Sequence, residues 1–209
     1  MFSRHPLEPR EQPTGLAEFD YRYQAVGVPA CDLELRAMYA PAHKVHPFDR
    51  FWTATLDALE RERSLPVLVV GDFNSGIGLD SEADRIFCQE YFKQLSHRGL
   101  VDLWRAMHGD AVEFTWRGHK NGYRLDHAFG TQAVRDRLQS CVYDHAVREN
   151  KLSDHSLLSV DVSSREVLAA RASSSPASRT SLPGSSSAEL GHSPGAMTPS
   201  IRQTSLARE

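Results

Sequence analysis

Pro66 to Asn74 runs an unbroken apolar stretch, Val67-Leu-Val-Val70, directly into Gly71-Asp-Phe-Asn74. A stretch without polar alternation predicts a strand covered on both faces, which demands a sheet with layers on either side of it. The same strand ends on a carboxylate. Asp72 therefore emerges where a rigid sheet can fix it, and Asn74 follows two residues on. If the chain stays extended there, a period of two puts both side chains on one side. Asp-Phe-Asn-Ser-Gly is equally the composition of a plain turn.

The neighbouring segments supply the layers. Asp32 to Tyr39 alternates Leu33, Leu35, Ala37 and Tyr39 on one face and predicts a half-buried strand that Pro41 ends. Pro47 opens a helix over about 47–63, with Phe48, Phe51, Trp52, Leu56 and Leu59 on one stripe. Ser81 with Asp84 resembles a capping box, which predicts a helix burying Phe87, Tyr91, Phe92 and Leu95 before Gly99 stops it. Further strands are expected at 113–116, 123–129, 138–145 and 156–162, with a short helix from 131 or 132 to 138. Strands outnumber helices, so the pattern favours two packed sheets flanked by helices over one doubly wound sheet.

Residues 163–209 differ from the body in composition, with 13 Ser, 4 Pro and no aromatic residue. Such a stretch buries too little apolar surface to offset chain entropy and is expected to be a disordered Ser/Pro-rich tail behind a domain at residues 1–162. The three cysteines are odd in number and widely spaced, which argues against a disulfide framework or zinc knuckle. No apolar run approaches the roughly 20 residues that span a bilayer, and no targeting segment is visible, so a cytoplasmic protein without a membrane partner is expected. With 24 Lys and Arg against 27 Asp and Glu, the net charge is −3. A nucleic-acid partner then needs a local basic cluster, because affinity for phosphates comes from Lys and Arg. The most basic loop is 117–122, Arg-Gly-His-Lys-Asn-Gly.

Two more strings carry chemistry. Ser153-Asp-His155 precedes a strand and offers an oxygen ligand beside a ring that can carry a proton near neutral pH. Tyr123-Arg-Leu-Asp-His127 places Asp126 within a strand, where a carboxylate needs a partner. That partner is a histidine whose tautomer it fixes and whose pKa it raises, or Arg124 on the same face.

Gly-Asp-Phe-Asn, Tyr-Arg-Leu-Asp-His and Ser-Asp-His, in this order, resemble the C-terminal motifs of the endonuclease/exonuclease/phosphatase family. Glu113-Phe-Thr-Trp116 and Tyr39-Ala-Pro41 look most like its exonuclease III and AP endonuclease branch. The resemblance covers about residues 1–162. It implies an α/β (α+β) fold, a four-layer αββα sandwich of two mixed sheets. It implies hydrolysis of phosphodiesters by in-line attack of water with Mg²⁺ or Mn²⁺, and nucleic acid as substrate. By the same resemblance Asp72 activates or orients the water and ligates metal. Asn74 positions the water and contacts phosphate. His155 binds phosphoryl oxygens with Asp126 orienting it, Asp154 is a metal ligand, and Tyr39 hydrogen-bonds the phosphate or leaving group. Trp116 either faces substrate or belongs to the core, and Arg124 is a further candidate substrate contact.

The chain also departs from the family. Members carry an earlier strand ending in Asn and another ending in a metal-binding Glu. Here Met1 to Leu7 looks like the strand after those elements, and Ala42 stands where that branch usually has Asn. The expectation is an N-terminally truncated domain with an open sheet edge and weak or no activity. The alternatives are a phosphatase or phosphodiesterase of the same fold acting on a small or lipid phosphate, and an inactive binding module.

Overall fold

The computed structural model describes residues 1–19, 21–42, 48–60, 63–164 and the backbone of 200–202. Its strands are β1 (Glu8–Pro9), β2 (Tyr23–Val28), β3 (Leu33–Tyr39), β4 (Val67–Asp72), β5 (Leu100–Asp102), β6 (Trp116–Arg117), β7 (Gly122–Tyr123), β8 (Asp126–Thr131), β9 (Leu138–Asp144), β10 (Leu157–Val162) and β11 (Ser200–Arg202). Its helices are α1 (Phe48–Glu60), α2 (Gln89–His97), α3 (Leu103–His108), α4 (Gln132–Arg135) and α5 (Ala146–Glu149). A six-stranded mixed sheet runs β1-β2-β3-β4-β8-β5, a three-stranded sheet runs β11-β10-β9, and β6 pairs with β7. Among the described residues, β3 and β4 make the one parallel pair; β4 and β8 are antiparallel.

The alternation within β4 builds both cores. Val67 and Val69 join Phe51, Trp52, Leu56, Phe92 and Phe129 under α1 and α2. Leu68 and Val70 join Leu35, Trp104, Leu158 and Val160 between the two sheets. β3 is covered on both faces as well, not on one. Its polar side turns Arg36 inward, where the guanidinium bonds Glu34 at 2.6 Å and the Ala58 carbonyl at 2.9 Å. An alternating sequence lies in an interior strand here because α1 roofs the polar side.

Gly71 marks the end of β4. Its φ is +150°, and a Cβ there would meet the Met38 carbonyl oxygen of β3 at 1.7 Å. Neither backbone can yield without breaking the parallel ladder. Gly71→Ala is expected to cost about 2–3 kcal/mol in urea denaturation.

Several expectations are corrected. Met1 to Leu7 is not a strand. Pairing starts at Glu8 against Gly27, while Met1 and Phe2 are exposed. Pro6 lacks the N–H that a ladder needs. The helix expected after Ser81 begins only at Gln89, because Asp84 and Cys88 take positive φ of 52° and 59°. Phe87 thus falls off the stripe and is exposed. The strand expected over 123–129 divides. Tyr123 stays in the β6–β7 hairpin, and pairing in the large sheet resumes at Asp126. Of the strand expected over 113–116, that hairpin takes Trp116 alone and continues to Arg117.

The tail expectation, over 163–209, lies outside the described residues except for Ser163 and Ser164, the first of which is buried and bonded to Arg137, and for β11, whose Ser200–Arg202 backbone pairs antiparallel with β10. Among the described residues, no helix is long and apolar enough to cross a membrane.

Candidate active site

Asp72 and Asp126 are direct partners across the β4–β8 ladder, so two carboxylates face each other at one sheet end. The loop before β10 adds His155, whose Nδ1 lies 2.7 Å from Asp126 Oδ2. Thr115 stitches these strands together. Its hydroxyl accepts the Leu125 and Asp126 N–H groups, and its carbonyl accepts that of Ser156. Trp116 then bridges to His155 through the backbone, and its indole N–H reaches Asp154 Oδ2 at 3.3 Å. Trp116 belongs to neither core and sits half-buried beside an exposed Asp154.

Asp72 and Asn74 meet by a route other than strand periodicity. Asn74 takes φ 45°, so the chain turns, and Asp72 accepts the Asn74 backbone N–H at 2.9 Å and its side-chain amide at 3.0 Å. The second amide hydrogen goes to the Ala40 carbonyl at 2.8 Å. Both partners are acceptors, which fixes the amide orientation. Asn74 Oδ1 is left facing outward as an acceptor, suited to a water or a cation rather than a phosphate oxygen.

The charges are strongly coupled. Burial and the facing Asp126 push Asp72 up to about 7, against the opposing pull of His155 and the Asn74 N–H. Burial alone would lower the His155 pKa. The Asp126 hydrogen bond and the charges of Asp126, Asp72 and Asp154 outweigh it and raise the ring to about 9.

Arg124 does not face this site. It is fully buried, and its guanidinium bonds Asp80 at 2.7 Å and Asp102 at 2.6 Å while lying 4.9 Å over the Trp104 ring. The substrate contact expected of it, and its pairing with Asp126, are both replaced by an internal ion network. Arg105 also bonds Asp80. Tyr143 lies 3.5 Å from Arg124 and donates its hydroxyl to the Asp126 carbonyl at 2.6 Å. The sequence reading missed Asp80, Asp102, Arg105 and Tyr143, because the residues involved lie up to 63 positions apart with no local pattern. Tyr39 ends β3 opposite Asp72, and the Arg22 guanidinium lies 4.6 Å over its ring.

His127, missed likewise, is buried beside this network and hydrogen-bonds the Ser75 carbonyl through Nε2 at 2.9 Å. Burial, then Arg124, lower its pKa to about 4. The unfolded ring takes its proton near pH 6.5, the folded ring only near 4. Its stabilising contribution is therefore complete above about pH 6.5 and is lost as pH falls toward 4, about 3 kcal/mol in all. Denaturation of His127→Gln and the parent chain at pH 7.5 and 4.5 checks this. The variant is expected to differ from the parent less at the lower pH.

Among the described residues, no group of three or more His, Cys, Asp or Glu side chains is placed to hold a metal ion. The oxygen donors of Asp72, Asp154 and Asn74 instead suit a hard cation that keeps several waters, as Mg²⁺ does with one or two carboxylates. Asp72, raised first by burial and then by the facing Asp126, is the group such a cation would relieve.

One sheet end thus gathers the Asp72–Asp126 pair, the His155 ring and the strand-terminal Asp72-Phe-Asn74. The profile described as the Endonuclease/Exonuclease/phosphatase family matches residues 1–155, and the chain belongs to that family. Solved structures agree in fold. A 3′-5′ exonuclease (NExo) from Neisseria meningitidis is similar at 19% identity and TM-score 0.62, over 76% of this chain and 71% of that one. An AP endonuclease from Archaeoglobus fulgidus is similar at 16% identity and TM-score 0.63, over 75% and 71%. A 3′ phosphatase NExo from Neisseria bound to product DNA hairpin is similar at 19% identity and TM-score 0.53, over 68% and 64%.

Proposed function

We propose that the chain is a divalent-metal-dependent phosphodiesterase acting on nucleic acid, of exonuclease III-like type. The observation that carries this reading is the convergence of Asp72, Asp126, Asp154 and His155 from three separate segments, with His155 hydrogen-bonded to Asp126 at 2.7 Å. The similar structures are named as DNA-processing proteins, which favours a polynucleotide over a small phosphate.

Asp72 titrates near neutrality, so it can take the proton of an attacking water and release it again at the same pH. Asn74 Oδ1 accepts a hydrogen bond from that water and orients it. His155 is charged at pH 7, and with Nδ1–H committed to Asp126 its Nε2–H is the donor for a phosphoryl oxygen as negative charge builds. Tyr39 stands at the same strand end to donate to phosphate or leaving group. Trp116 holds Asp154 by its indole N–H and offers the rest of its ring to a nucleotide. Mg²⁺ or Mn²⁺, held by Asp72 and Asp154, would supply charge neutralisation at the phosphate.

Incubating the full chain with Mg²⁺ or EDTA and three substrates tests the reading: an abasic duplex, a generic phosphodiester and a phosphomonoester. Weak metal-dependent cleavage of the duplex, in preference to both others, is expected. Preference for the monoester would replace nucleic acid by a small phosphate, and no hydrolysis of any substrate would overturn the enzymatic role.

A further inference from the structure

Beside the catalytic cluster, sharing only its Asp154 edge, lies a cavity of about 410 Å³ lined by Arg117, Arg148, Lys151, Ser153 and Asp154. Three cations meet there in a chain whose net charge is −3. They come from two distant segments, the β6–β7 hairpin and the α5 turn.

Arg117 is half-exposed, with Glu82 at 3.4 Å and the Phe114 ring 5.1 Å beneath its guanidinium. Among the described residues, neither Arg148 nor Lys151 has a carboxylate within 4.0 Å. Arg148 Nε is buried without a hydrogen-bond partner, and its Nη2 lies 3.5 Å from His145 Nδ1. Lys151 takes φ 58°, which folds the chain back toward Ser153. The whole turn is fastened to the catalytic loop. His145 Nδ1 lies 2.7 Å from Ser156 Oγ, His145 Nε2 lies 3.0 Å from Glu113, and the Leu152 N–H donates to the Val147 carbonyl at 3.0 Å. Arg117 is paired with Glu82, whereas Arg148 and Lys151, without a carboxylate partner among the described residues, repel each other and Arg117, and an anion in the cavity relieves that repulsion.

We propose that Arg117, Arg148 and Lys151 form a subsite for a second phosphate of a polynucleotide, adjoining the one His155 engages. This rests on the nucleic-acid reading above and deepens it. A phosphomonoester has nothing to place in such a cavity, whereas a strand presents a neighbouring phosphate on every nucleotide. Lys and Arg contacts of this kind set register and affinity without reading bases.

Fluorescence anisotropy of labelled single-stranded and duplex oligonucleotides, with the full chain in EDTA to prevent turnover, tests the subsite. The triple variant Arg117→Gln, Arg148→Gln, Lys151→Gln is compared with a control carrying Arg85→Gln, Lys93→Gln and Arg135→Gln, three exposed cations elsewhere. The cavity variant is expected to bind about tenfold or more weakly at low salt, with the slope of log K against log salt reduced by about 2–3, one per lost contact. The control is expected to keep the parent's slope. Arg148 is half-buried, so the double variant Arg117→Gln, Lys151→Gln, at exposed positions, repeats the comparison without a folding burden. Equal losses in cavity and control variants, or no loss in the cavity variants, would overturn the subsite while leaving the nucleic-acid reading intact. Failure of the parent chain to bind either oligonucleotide would overturn both.

Discussion

Arg124→Met is expected to destabilise the chain by about 3–5 kcal/mol, the range for removing one partner of a buried ion pair. The guanidinium and Asp80 are fully buried and Asp102 nearly so, and Arg124 touches both carboxylates. Burial by itself would raise the Asp80 pKa, but Arg124, His127 and the hydrogen bonds hold it below the usual carboxylate range. Once Arg124 is gone, Asp80 keeps Arg105, but Asp102 is left with no guanidinium, only the Arg105 backbone N–H at 3.0 Å and a distant His127 ring at 3.9 Å. The result is an uncompensated buried charge, which costs far more than an intact network contributes. At this chain length the melting temperature should fall by roughly 10 °C, read by near-ultraviolet circular dichroism. Adding Asp102→Leu to Arg124→Met should recover part of the loss, since it removes the orphaned carboxylate. A single variant within 1 kcal/mol of the parent would show that the network does not hold this junction together.

Arg124 also shows where sequence reasoning stops. The fold class was readable because it rests on local patterns. The apolar run at 67–70 requires two covering layers, and the stripe from Phe48 to Leu59 forms α1. Asp72 and Asp126 were identifiable because each ends or opens an apolar strand. The ladder that sets them opposite each other joins segments about fifty residues apart. Periodicity failed where side chains overrule it. Arg124 turns inward to reach Asp80 and Asp102, which divides one expected strand into two. Asn74 meets Asp72 through a positive-φ turn rather than extended spacing. The cationic cavity was half visible, since Arg117 opens the most basic loop. Arg148 and Lys151 belong to no pattern in the sequence and join the cavity only because α5 folds back against the catalytic loop. Charge clusters assembled from distant segments have no signature in one sequence, because their partners are chosen by the fold.

The Asp126–His155 contact makes the sharpest chemical prediction. In the parent chain the ring carries its proton at pH 7, with its pKa raised to about 9 against the effect of burial. Asp126→Asn removes both the charged hydrogen-bond acceptor and the nearest negative charge while preserving shape. The ring pKa is then expected to fall by about 1–3 pH units. Resonances of the His155 ring followed by NMR across pH 5–10 read this directly, whether or not the chain turns over. Turnover separates the two groups further. His155→Ala is expected to lose about 10²- to 10⁴-fold in kcat at every pH, since the donor to the phosphoryl oxygen is gone. Asp126→Asn is expected to lose activity mainly on the alkaline side, because its ring still charges at lower pH. An Asp126→Asn ring that still titrates near 9 would mean that Asp72 and Asp154 hold the charge on His155. Asp126 would then act on orientation alone, and the alkaline loss should vanish while a uniform one remains.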